Sequence, residues 1–282
     1  MDNTLFTATG CSRCKIARKF MDEHGIAYEE MDIKAEGKDP FAQFYRNNRS
    51  SVYRGEEGIE FPVFTDGTII RQGAGVVIAF LHAGTKLDRF IGRSELSHGW
   101  MDGIHVSEGD PALADDLVDV LAYIRKNGMN LQLDTDGRNA QVLGRLLKEK
   151  LGDRAVMEVK GPLPLCRILL GEEIDPQEIQ HTMELLTEFP EHRFETTVAP
   201  FFERAGESQS VRYLTPEEIG DTARWIKEIT GSNKQPYVLR LFDPEGSPDP
   251  RFKSMHKLNS NDLLRYRSAA RRQLVLTEVE KN

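Results

Sequence analysis

The chain has 282 residues, of which 39% are hydrophobic and 29% charged, enough for one large domain or two average ones with a proper core. A formal net charge of −8 excludes a general nucleic-acid binder, which needs a basic surface to displace counterions. Three cysteines are too few for a disulfide framework, so a reducing cytoplasm is the expected compartment.

In chain order, "TLFTA" (residues 4–8) reads as a short strand that stops at Thr9-Gly10. From Lys15 the pattern is helical, with Ile16, Phe20 and Met21 on one side and Lys15, Arg18, Lys19 and Asp22 on the other, and Gly25 ends it. "AYEEMDI" (residues 27–33) alternates like a second strand, so a helix crosses between two parallel strands. A weakly amphipathic helix is expected over residues 40–47. "FPVF" and "TII" then form a hairpin at Asp66-Gly67, and "AGVVIAFLHAG" a helix ending at Gly84. That run, "GVVIAFL" at its heart, falls far short of the roughly 20 apolar residues that span a bilayer. The start "MDNTLFTATG" lacks the basic and apolar regions of a signal peptide, so no membrane association is expected.

Strand-like and helical runs then alternate over residues 103–274. They include "GIHVSEGDPAL", the helix "ADDLVDVLAYIRKNGM", "NLQLDTDG", "NAQVLGRLLKEKLG", "RAVMEVKGPLP", "PQEIQHTMELLTEF", the strand "RFETTVAPFF", "TPEEIGDTARWIKEIT", "PYVLRLF" and "SNDLLRYRSAARRQL". This repetition predicts a parallel sheet, open or partly closed like a piece of a (β/α) barrel. The expected fold is therefore α/β: an N-terminal βαβαββα domain over residues 1–85, a linker at 86–99 and a C-terminal partial (β/α) barrel over 100–282.

Cys11 and Cys14 sit where the first strand gives way to a helix. Three readings stand. A metal site needs further ligands, and only Cys166 remains among the thiols, which leaves a [2Fe–2S] cluster shared between two chains. Two inert core thiols are the second. The third is a redox pair, favoured because a helix N-terminus and the charges of Arg13 and Lys15 promote the thiolate. In that reading Cys11 attacks, Cys14 resolves, and Arg13 and Lys15 tune the thiolate.

Through "GCSRC", "EFPVF" and the glycines of "QGAG", residues 4–84 resemble a glutaredoxin or small thioredoxin-fold redoxin. The resemblance implies that Pro62 is cis and faces Cys11 and Cys14, where it shapes the substrate groove. An edge-strand proline is the structural alternative. Where that family places a lysine before the thiols and an aspartate after the second glycine pair, this chain has Ala8-Thr9-Gly10 and Gly75-Val76-Val77. A protein disulfide and a reductase-type donor therefore rank beside glutathione as expected partners.

The loops "SEGDPAL", "LDTDGRN" and "MEVKGPLP" place Ser107, Glu108, Asp110, Asp134, Asp136 and Lys160 after strands, where parallel folds put ligand sites. Capping and turn chemistry is the simpler account of Asp110 and Asp136. In order and spacing, with "ETTVAP" and "PYVLRLF", these loops resemble the C-terminal two-thirds of radical S-adenosylmethionine enzymes of the glycyl-radical-activating type, over residues 100–268. "SEGDP" stands at that family's Gly-Gly-Glu-Pro, "DTDG" at its Asp-Thr-Asn-Gly and "EVKGPL" at its Asp-Val-Lys-Ala-Pro-Leu. The Cys-x3-Cys-x2-Cys that holds that family's [4Fe–4S] cluster has no counterpart here. The expectation is a degenerate domain that recognises a partner or ligand, without S-adenosylmethionine cleavage. The combined reading is a thiol–disulfide oxidoreductase whose client is a protein disulfide of anaerobic radical metabolism. The alternatives are a non-enzymatic iron–sulfur carrier or scaffold, and an S-adenosylmethionine- or nucleotide-binding regulator. Cys166 is expected as a buried apolar residue.

Overall fold

The computed structural model describes residues 3–55, 58–94, 96, 99–171, 173–205, 208–247, 249–253 and 255–280; positions 95, 97 and 98 of the expected linker lie outside these. The chain divides into two compact units, Met1–Leu133 with Lys148–Leu151, and Asp134–Leu147 with Gly152–Asn282. No helix among the described residues is long and apolar enough to cross a membrane.

In the first unit, β1 (Thr4–Thr7) pairs in parallel with β2 (Glu29–Asp32), and α1 (Ser12–Glu23) makes the crossover that a parallel pair requires. Next come α2 (Lys38–Asn47), the antiparallel pair β3 (Val63–Thr65) and β4 (Ile70–Gln72), and α3 (Ala74–Ala83). The sheet order is β2-β1-β3-β4, with β1 antiparallel to β3. This is the expected thioredoxin-like arrangement. Alternation along the strands sends successive residues to opposite faces. Leu5 and Phe64 join Ala17, Met21 and Val77 in one cluster, while Phe6 and Val63 join Phe41 and Val52 in another. Asp66 holds the hairpin by accepting the N–H groups of Thr68 and Ile69, each at 2.8 Å.

The segment after α3 is packed rather than extended. Leu87, Phe90 and Ile91 are buried, and Ile91 bridges Ile104 of β5 (Trp100–His105). The helix α4 (Ala114–Lys126) follows, and its Tyr123 meets Phe20 of α1 edge-on at 5.0 Å. β5 and α4 thus fold in the same unit as the thioredoxin-like sheet.

The larger sheet runs β12-β11-β8-β7-β6-β5. Its strands are β6 (Asn130–Thr135), β7 (Arg154–Glu158), β8 (Glu191–Val198), β11 (Tyr237–Leu241) and β12 (Thr277–Val279), besides β5. The pairings β7–β8, β8–β11 and β11–β12 are parallel. A strand order that follows the chain, with parallel pairings and helices between successive strands, is that of a piece of a (β/α) barrel. Those of the second unit are α5 (Ala140–Lys148), whose last residue belongs to the first unit, the short α6 (Cys166–Leu170), α7 (Pro176–Leu186), α8 (Pro216–Thr230) and α9 (Ser260–Arg271). α8 begins with a reciprocal capping box between Thr215 and Glu218.

One expectation needs correcting. The run "RFETTVAPFF" is not one strand: β8 stops at Val198, and β9 (Pro200–Ala205) leaves to pair with β10 (Ser208–Tyr213) in a separate two-stranded sheet. Pro200 has no N–H to donate, so it cannot continue a central ladder.

Candidate functional site

The thiol loop is built by three local devices. Thr9, just after β1, is held by Asp32 at the end of β2: its hydroxyl donates to Oδ2 at 2.6 Å and its N–H to Oδ1 at 3.2 Å. These bonds, the Thr9 hydroxyl first, hold the Asp32 carboxyl below its ordinary range. Gly10 turns the chain at φ +82, a conformation that costs glycine little. Cys11 then takes the N-cap of α1, where its Sγ accepts the Cys14 N–H at 3.0 Å.

Cys11 and Cys14 are joined in a disulfide, with Cα atoms 5.3 Å apart. Cys11 is half-buried, whereas Cys14 is 1% exposed. Across from them the Phe61–Pro62 peptide bond is cis, and the Phe61 carbonyl oxygen lies 3.8 Å from Cys11 Sγ. The structure therefore brings Cys11, Cys14 and the Pro62 loop together.

Arg13, between the two cysteines, is already engaged. Its Nη1 donates to Glu60 Oε1 at 2.7 Å and its Nη2 to the Trp100 carbonyl at 2.8 Å. Lys15 is exposed. Glu60 was not among the sequence candidates, although one carboxylate inside the apolar run "GIEFPVF" was a signal. Burial pushes its pKa up from 4.5 to about 7, in spite of the attraction of Arg13.

The other candidate residues fall separately. In the first unit, Ser107 and Glu108 lie in a 3-10 turn after β5, and Asp110 caps the next turn by accepting the Ala112 N–H at 2.9 Å. Between them, Gly109 leaves room for Phe90, whose ring would lie 2.2 Å from an added Cβ. In the second unit, Asp134 lies within β6 and Asp136 holds Arg138 through both carboxylate oxygens. Gly137, at φ +101, receives the Thr182 hydroxyl on its carbonyl at 2.6 Å. Lys160 pairs with Glu158. Glu195, 4% exposed, is flanked by Arg193 at 2.5 Å and Arg240 at 2.8 Å. Cys166 is free and buried, and desolvation pushes its thiol up to about 11. Among the described residues no group of three or more His, Cys, Asp or Glu side chains is arranged to hold a metal ion.

Residues 3–45 match the Glutaredoxin family model. A protein of Methanocaldococcus jannaschii, provisionally named as a glycyl-radical enzyme activating enzyme, is 25% identical over 170 residues, which cover 57% of this chain and 63% of that protein. The chain thus spans less than two thirds of that relative's length. A solved domain of pyruvate-formate lyase-activating enzyme from Bacteroides vulgatus aligns with a TM-score of 0.43 and 12% identity, over 63% of this chain and 98% of that one.

Proposed function

We propose that the chain is a thiol–disulfide oxidoreductase in which Cys11 and Cys14 form the working couple. The observation that carries this reading is the disulfide, which lies within the residues 3–45 that match the Glutaredoxin model, at the N-terminus of α1 and facing the Phe61–Pro62 loop. In the reduced protein, the Cys11 thiolate attacks a client disulfide. One client sulfur joins Cys11 and the other leaves as a thiolate that takes a proton. Cys14, having lost its proton, then attacks Cys11 Sγ, restores the Cys11–Cys14 bond and expels the second client thiol. Two electrons and two protons pass to the client, and a second thiol–disulfide couple, glutathione or a reductase dithiol, returns them.

The same chemistry assigns the parts. Cys11, more open than Cys14 and accepting the Cys14 N–H, is the attacking sulfur. Pro62 lines the approach to it. The second unit recognises the client, through Asp134 near the end of β6 and the loops that carry Asp136 and Lys160. Similarity to a protein provisionally named as a glycyl-radical enzyme activating enzyme supports a client in radical metabolism. The thiols do not fit the cluster that the radical-enzyme resemblance implies: Cys11 and Cys14 bond each other, and Cys166 is buried with a raised pKa. No step through a cluster or S-adenosylmethionine follows.

The test is trapping. Reduced Cys14→Ser protein incubated with a disulfide-containing peptide should form a covalent adduct through Cys11 that reductant releases. Cys11→Ser should form none. Absence of the Cys14→Ser adduct, with the thiol free by alkylation, would overturn the reading.

A further inference from the structure

Arg13 stands between the two thiols in the first turn of α1, yet its guanidinium charge is spent elsewhere. It makes the 2.7 Å bond to Glu60 Oε1 and the 2.8 Å bond to the Trp100 carbonyl, and the side chains of Arg13 and Glu60 are each 14% exposed. Glu60 is held from its own side as well, because its backbone carbonyl accepts Gln72 Nε2 at 3.2 Å and that same amide donates to the Tyr53 carbonyl at 2.9 Å. The carboxylate fits only because residue 73 is glycine. At φ +91, an added Cβ there would lie 2.8 Å from Oε1 and 3.1 Å from Oε2. Glu60 Oε2 is buried without a hydrogen-bond partner. A carboxylate in that position is costly unless it serves the guanidinium it faces.

On these grounds, and resting on the thiol–disulfide reading above, we propose that Glu60 is a positioning residue of the redox couple: by holding Arg13 it withholds a positive charge from Cys11 and sets how readily the disulfide is reduced. A guanidinium left alone beside a thiol stabilises the thiolate and so favours the dithiol form. Neutralised by a carboxylate, it contributes much less. The helix N-terminus and the Cys14 N–H then remain as the main supports of the Cys11 thiolate. The charged groups that act on Glu60 besides Arg13 are Arg93, which favours its ionised form, and Asp102, which opposes it. With its pKa raised to about 7 by burial, Glu60 ceases to neutralise Arg13 as the pH falls below neutrality.

The experiment measures the equilibrium of the full chain in glutathione redox buffer, where dithiol plus oxidised glutathione interconverts with disulfide plus two glutathione thiols. The wild type, Glu60→Gln, Arg13→Gln and the double variant are compared. The Cys11 thiolate absorbance is followed against pH in the Cys14→Ser background, where buried Cys166 does not ionise below about pH 9. Glu60→Gln should move the equilibrium roughly 3- to 10-fold toward the dithiol and lower the Cys11 pKa by about half to one unit. Arg13→Gln should move both the other way, and the double variant should return near the wild type. Loosened packing would push both single variants in one direction, so shifts of the same sign overturn the proposal, as does a Glu60→Gln protein that matches the wild type. A wild type that never equilibrates with glutathione or any added dithiol would sink the thiol–disulfide reading itself.

Discussion

The buried relay from Tyr237 to Val159 permits a quantitative test of what holds the second unit together. The Tyr237 side chain is fully enclosed, its hydroxyl donates to Thr196 Oγ1 at 2.8 Å, and Thr196 donates to the Val159 carbonyl at 2.6 Å. Both residues are 0% exposed. Tyr237→Phe removes a donor and leaves Thr196 still bonded to Val159, so it should cost only about 1 kcal/mol. Thr196→Val orphans two groups at once, the Tyr237 hydroxyl and the Val159 carbonyl contact. At about 1–3 kcal/mol for each buried group left unsatisfied, the loss should be roughly 2–6 kcal/mol. In the double variant the orphaned hydroxyl is gone, so it should be more stable than Thr196→Val alone. The coupling between the sites would then be about 1 kcal/mol or more. Thermal unfolding of the full chain, read by far-ultraviolet circular dichroism, resolves this at roughly 2–4 °C per kcal/mol for a domain of this size. Strict additivity, or a Tyr237→Phe loss equal to that of Thr196→Val, would refute the relay.

Leu5→Ala, which empties a fully buried position between Ala17, Met21, Phe64 and Val77, should cost about 3–5 kcal/mol, seen as a lowered unfolding midpoint of the first unit. Thr215→Ala removes one arm of the α8 capping box and should cost about 1 kcal/mol, measurable by urea titration. Cys166, 3% exposed with a thiol pushed up to about 11, should resist iodoacetamide in the folded protein at pH 8 while Cys11 of the reduced protein reacts; peptide mass spectrometry reads the difference. Because folding raises the Glu60 pKa from 4.5 to about 7, its protonated form is favoured in the folded state. Its contribution is full below about pH 4.5 and is lost as pH rises through about 7, on the order of 3 kcal/mol in total. Glu60→Gln should flatten that part of the stability–pH curve, as urea midpoints at pH 5 and pH 7.5 would reveal.

Much of the N-terminal fold was legible because its signals are local. Leu5 and Phe6 alternate across a strand, Ile16 and Phe20 repeat along a helix, and Asp66-Gly67 marks its own turn. Cys11 and Cys14 could be placed at a helix start from the runs on either side, and the redoxin resemblance supplied the cis bond at Pro62. Glu60 was not legible, because its meaning depends on Arg13, which is 47 positions away in the chain. Residues 87–91 fall in the expected linker, yet Leu87, Phe90 and Ile91 are buried, and Phe90 and Ile91 find their partners in β5. The β9–β10 hairpin was hidden for a different reason. Apolar "FF" continues the pattern of β8, and only Pro200 shows that the ladder has ended.

The packing of Phe90 and Ile91, with Phe20 against Tyr123, bears on how the chain can be divided. Truncation after residue 85 would strip α1 of the Tyr123 ring that meets Phe20 edge-on, and Arg13 of the Trp100 carbonyl to which it donates. The thioredoxin-like part is therefore not a self-contained cassette. A fragment meant to preserve the thiol site should include β5 and α4 rather than stop at α3, since these fall in one compact unit with the thioredoxin-like sheet.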